Sequence, residues 1–165
     1  MPETSVQVSR LREAGAEFSR AFETLLSFRT AAKLDPKVRQ ALAKLLNEGA
    51  SIKSAIRAAT QMLDGAKRWA DRVFQTDALD TIPFASEIVE TTAAAAVSSI
   101  EHFLDKTKIA IPHLEKLQRQ FSELPEEKRT QLAAVETSPP TPAPVPAFIL
   151  LIVLGGVIWW FNSDR

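Results

Sequence analysis

The sequence predicts an all-α protein: an elongated antiparallel bundle of three or four helices with heptad seams, then a Pro-rich stalk and one C-terminal transmembrane helix. Three observations predict it. Apolar residues recur at alternating spacings of three and four along most of the chain, a period that no β-strand holds. Prolines crowd into one stretch, Thr137–Pro146. Beyond it, Ala147–Phe161 is apolar and uncharged, and only Asn162–Arg165 follows. The expected organisation is a helical bundle domain over 1–136, a linker over 137–146, and a membrane anchor with a short polar tail over 147–165.

The first helix is expected from about Thr4 to Ala32. Val8, Leu11, Gly15, Phe18, Phe22 and Leu25 form its seam, with polar residues between them. Leu34-Asp35-Pro36 is the stop signal. Asp35 is placed to cap the next helix and Pro36 to take its first position, where a missing N–H costs nothing.

The second helix is expected to be the longest. Val38, Leu42, Leu45, Gly49, Ile52, Ile56, Ala59, Leu63, Ala66, Ala70 and Val73 keep the same alternation. Gly49 and the alanines thin this seam and let a neighbouring backbone come close. Gly49 and Gly65 each cost about 1 kcal/mol relative to alanine, so a bend near either is expected. Trp69 and Phe74 flank the seam at its far end and are expected to close the bundle there. The packing residues singled out on the first two helices are Leu11, Phe18, Phe22, Leu25, Val38, Leu42, Leu45, Ile52, Ile56, Leu63 and Val73.

A turn over Asp77–Pro83 leads to a third helix past Phe84, Ile88, Thr92, Ala96, Ile100 and Phe103, with Thr81 as candidate cap. Its stretch Thr91–Ser99 is small on every side, which suits close helix packing or docking of a partner. Pro112 removes a backbone donor and is expected to kink or break the chain between Ile109 and His113. Ile111, Leu114, Leu117, Phe121 and Leu124 resume the stripe, and Pro125-Glu126-Glu127 starts a short helix reaching Val135. Half of Thr137–Pro146 is proline, so the linker reads as extended polyproline II, roughly 30 Å long. Its Pro139–Pro142 match to a Pro-x-x-Pro docking motif lacks a flanking basic residue.

The anchor residues are Phe148, Ile149, Leu150, Leu151, Ile152, Val153, Leu154, Val157, Ile158, Trp159, Trp160 and Phe161. At ~1.5 Å per residue, Ala147–Phe161 spans roughly 22 Å, short of a hydrocarbon core of ~30 Å. Val145, Pro146, Asn162 and Ser163 bring it near the required length, and Trp159 and Trp160 suit the headgroup layer. The first ten residues contain no apolar signal-peptide core. The expected placement is therefore single-pass in a membrane, with the N-terminal domain cytosolic.

Composition narrows function more than it names it. Lys plus Arg number 20 and Asp plus Glu 20, which argues against nucleic-acid binding. No cysteine is present, so disulfides, thiol nucleophiles and thiolate metal sites are excluded. Charge is uneven: bases outnumber acids over Asp35–Phe74, and only acids occur over Gln75–Asp105. That pattern suggests two antiparallel helices of complementary charge. His102 and His113 lack the spacing of a helical metal motif, and Glu87 with Glu90 reads as a solvated pair rather than a catalytic one. No phosphate loop, nucleophile elbow or dinucleotide fingerprint occurs, so neither catalysis, a cofactor, a metal nor a small-molecule substrate is expected.

The layout resembles tail-anchored proteins in general, a likeness of architecture alone. The expected function is a non-catalytic interaction or scaffold module, anchored in a lipid bilayer, that self-associates or recruits a protein partner. Two other readings fit the same residues: a membrane-remodelling or pore-forming protein with an apolar insertion helix, and an accessory subunit of a larger membrane complex. A short apolar helix packed against other membrane helices suits the last of these.

Overall fold

The computed structural model describes residues 3–74 and 83–134, all of it helix and connecting turns, packed as a bundle. Four α-helices follow in order: α1 (Glu3–Ser27), α2 (Pro36–Phe74), α3 (Pro83–Ser122) and α4 (Glu126–Ala134). The expected linker and anchor, together with most of the Asp77–Pro83 turn and its candidate cap Thr81, lie outside the described residues.

α1 ends at Ser27, five residues before the expected Ala32. Its last turn carries hydroxyls that compete for backbone carbonyls: Thr24 Oγ1 donates to Arg20 O at 2.8 Å and Ser27 Oγ to Thr24 O at 2.6 Å. The backbone then tightens, with Phe28 N and Arg29 N donating to Leu25 O and Leu26 O at 3.2 Å. A short 3-10 turn over Ala31–Leu34 follows. This change of path turns Phe28, Ala31 and Ala32 inward, and all three are buried.

α2 starts as the sequence predicts. Asp35 has extended backbone angles, φ −127° and ψ 112°, as an N-cap requires. Its Oδ1 accepts from Lys37 N at 2.9 Å and from Val38 N at a longer 3.4 Å, while its carbonyl accepts from Arg39 N at 2.8 Å. Pro36 fills the first helical position. Asp35→Ala is expected to cost about 1 kcal/mol, read as a lower midpoint in urea with an unchanged slope. Asp35→Asn, which keeps the acceptor, should lose little of it.

α3 is a single helix through Pro112, so of the expected kink or break the break does not occur. Pro112 is exposed, so the carbonyl that loses its partner one turn earlier lies on the water side of the helix. The ladder can lack a bond there without a buried group going unpaired. α3 ends where Glu123 N bonds Arg119 O at 3.1 Å and Leu124 N bonds Phe121 O at 3.2 Å, with Pro125 next. Glu126 and Glu127 stand in the first turn of α4, where the helix dipole favours them.

α2 and α3 are antiparallel. Val38 and Leu42 at the start of α2 share a surface with His113 and Leu114, whereas Gly49 further along meets Phe103. α1 turns back tightly into α2, so it runs alongside α3 in the same direction, and α1 packs most heavily on α3. The 3-10 turn also rests on α3, and the Lys33 ammonium donates to the Leu132 carbonyl of α4, joining the two connections at one end of the bundle.

The core centres on three phenylalanines. Phe18 and Phe22 stack with ring centroids 5.7 Å apart, and Phe103 tilts against Phe18 at 5.1 Å. Lys53 places its ammonium 5.8 Å from the Phe22 ring centre, covering the cluster on the α2 side. Gly49 makes room for it: a Cβ there would lie 2.6 Å from Cδ2 and Cε2 of Phe22 and 3.0 Å from Cζ of Phe103. Only glycine lets the α2 backbone rest on these rings undisturbed.

The inward stripe of α3 matches the expected one at Ile100, Phe103 and Leu114 and is offset by one residue before them, where Val89 and Ala93 replace Ile88 and Thr92. Val89, Ala93, Ile100, Phe103, Thr107 and Leu114 are buried, Ile88 is 37 % exposed, and Thr92 is half-buried. One residue is a rotation of ~100°, enough to exchange faces. The polyalanine stretch left both stripes equally apolar. Thr107, the buried polar residue of this helix, donates its hydroxyl to Phe103 O at 2.9 Å and so keeps no unpaired donor.

Candidate interaction surface

Among the packing residues singled out from sequence, Leu11, Phe18, Phe22, Leu25, Leu42 and Leu63 are buried. Val38, Leu45, Ile52 and Ile56 are half-buried against the core. Val73, in the last turn of α2, is 55 % exposed, because a residue at the helix end has the seam on one side only. Sequence reasoning missed Leu46, which is buried while Leu45 is not. Spacings of four then three and of three then four fit the interval from Leu42 to Gly49 equally well. The anchor residues from Phe148 to Phe161 lie outside the described residues.

The half-buried positions lead to a surface feature. Val38, Ala41, Leu42 and Leu45 of α2 face Ala110 and Leu114 of α3 across a groove of about 400 Å³. Its rim carries Lys44, Glu48, Lys106 and His113. Lys106 spans the rim to Glu48, its Nζ 2.8 Å and 2.9 Å from the two carboxylate oxygens. Ile109, 72 % exposed, stands beside the groove, because residues three before and four after it, Lys106 and His113, both line it. The groove thus has an apolar floor and a charged rim, with an exposed large hydrophobe beside it.

The Glu48–Lys106 pair falls outside the charge complementarity expected between Asp35–Phe74 and Gln75–Asp105, because Lys106 is the first base after the acidic stretch. The acid here belongs to α2 and the base to α3. Its side chains are 36 % and 44 % exposed, so solvent weakens the attraction to about 0–1 kcal/mol. Lys106→Met is expected to change stability by no more than about 1 kcal/mol, with the small effect fading as salt is raised. A cost of several kcal/mol in thermal unfolding would show instead that the pair bolts the two helices together.

His102 and His113 are both exposed, on separate turns of α3. Glu87 is exposed and Glu90 half-buried. Among the described residues, no group of three or more His, Cys, Asp or Glu side chains converges as a metal site would require. A comparison with protein-family models, with curated proteins and with solved structures finds no match to this chain.

Proposed function

We propose that this chain is a non-catalytic helical scaffold displayed from a membrane by Ala147–Phe161, self-associating or recruiting a protein partner through its bundle. The apolar run carries the reading. Fifteen consecutive residues without a charge, ending in Trp159-Trp160-Phe161, need a non-aqueous surrounding. Among the described residues, the phenylalanine core draws on α1, α2, α3 and the turn between the first two, with Phe18 and Phe103 at 2 % and 0 % exposure. No helix among the described residues is long and apolar enough to cross a membrane. On this reading Thr137–Pro146 is a semi-rigid spacer that sets the distance between bundle and lipid.

Flotation with phosphatidylcholine vesicles tests the anchor. The full chain is expected to float and a chain ending at Pro146 to remain at the bottom of the gradient, with its helical signal intact. Equal flotation of both would overturn the reading. Dye-filled vesicles separate it from the pore-forming alternative: a scaffold leaves the dye inside, whereas an insertion wedge releases it.

A further inference from the structure

We propose that the groove between α2 and α3 holds this chain's own apolar segment 147–161 while no bilayer is present. The inference rests on the membrane-seeking reading of that segment and adds a place for it before insertion. Lys33 binds the Leu132 carbonyl, so α4 ends beside the turn into α2. The groove begins five residues later, at Val38. Twelve residues, 135–146, separate the end of α4 from Ala147. Extended, they reach about 40 Å, more than enough to lay the segment on the nearest apolar surface.

The surface and the segment match in kind. Read as a helix, the segment offers Leu150, Val153, Leu154 and Val157 at the i, i+3, i+4, i+7 spacing that seats a helix in a groove. The floor of Val38, Leu45 and Ala110 is apolar, and Ile109 extends it outward. The rim charges Glu48 and Lys106 neutralise each other, so an uncharged occupant strands neither. A groove of about 400 Å³ takes a few side chains, not a whole helix. Such a hold is partial and yields to a bilayer, which covers every face of the segment.

A second copy is the rival occupant. The chain's own segment is tethered within reach, so its presentation to the groove does not fall on dilution, whereas that of a second copy does.

The absence of native cysteine makes the test direct, because introduced thiols are the only ones. The full-length chain would carry Val153→Cys with Ala41→Cys at the groove, or Val153→Cys with Ala58→Cys elsewhere on α2. Ala41 and Ala58 are both exposed, so neither change disturbs the core. In dilute detergent-free buffer, a short bifunctional thiol reagent is expected to join the groove pair within one chain about tenfold more than the control pair. Phosphatidylcholine vesicles should abolish that preference. Equal joining of the two pairs, products only between chains, or a chain that pellets under these conditions would overturn the proposal. Flotation of the same variants is scored separately. Chains that float without the groove crosslink refute the docking and leave the anchor standing. Chains that crosslink but never float refute the anchor.

Discussion

Replacing Phe103 by alanine is expected to remove roughly 3–5 kcal/mol of stability, the largest loss from any single truncation in this bundle. Phe103 is fully buried, tilts onto Phe18 at 5.1 Å and lies against Gly49, so it is where three helices meet. Alanine leaves a ring-sized void whose walls belong to α1, α2 and α3 together. No single helix can close it without giving up contacts elsewhere, so the cavity penalty adds to the lost transfer energy. In a chain of this length each kcal/mol moves the thermal midpoint by ~2–4 °C, so a fall on the order of 10 °C is expected. Phe121→Ala is the comparison. Phe121 is half-buried near the end of α3, and its side chain forfeits less on truncation. Equal losses for the two variants would mean that the three rings do not form the centre of the core.

The helices were legible in the sequence because their period is strong and their stops are chemical. Asp35-Pro36 marked the start of α2 to the residue, since a carboxylate before a proline can satisfy the first free N–H groups and do little else there. The rotation of α3 was legible from Ile100 onward, where Ile100, Phe103 and Leu114 are buried as expected, but not before it. Thr91–Ser99 has no bulky residue to show which side faces in, so Ile88–Thr92 and Val89–Ala93 were equivalent candidates. Tertiary packing alone decided between them. At Pro112 the sequence left kink and break both open, and the helix continues. The cost of the bond a proline removes depends on whether the stranded carbonyl can reach water, and sequence does not say which face of α3 is wet. The α2–α3 groove lay beyond sequence reading altogether, because it depends on Leu45 and Ala110 of different helices lining one space.

Gly49 offers the sharpest contrast with expectation from helix propensity. Gly→Ala inside a helix ordinarily stabilises by about 0.5–1 kcal/mol. Gly15→Ala and Gly65→Ala are expected to follow that rule, since a Cβ at either position meets nothing within 4 Å. Gly49→Ala is expected to reverse it. The new methyl would press on Phe22 from 2.6 Å, and that ring is held by its stack with Phe18 and by the α2 backbone itself. Either Phe22 leaves its rotamer or α2 moves away from α1, and overpacking of this kind costs about 1–3 kcal/mol. The propensity gain offsets part of it, leaving a net loss of about 1–2 kcal/mol. All three substitutions are the same chemical change in the middle of a helix, so the difference in sign isolates packing from propensity. Phe22→Leu supplies the cross-check. It removes the atoms that the methyl strikes, so combining it with Gly49→Ala should cost less than the two separate losses added together, by more than about 0.5 kcal/mol. Simple additivity in urea unfolding would mean that residue 49 and Phe22 do not touch.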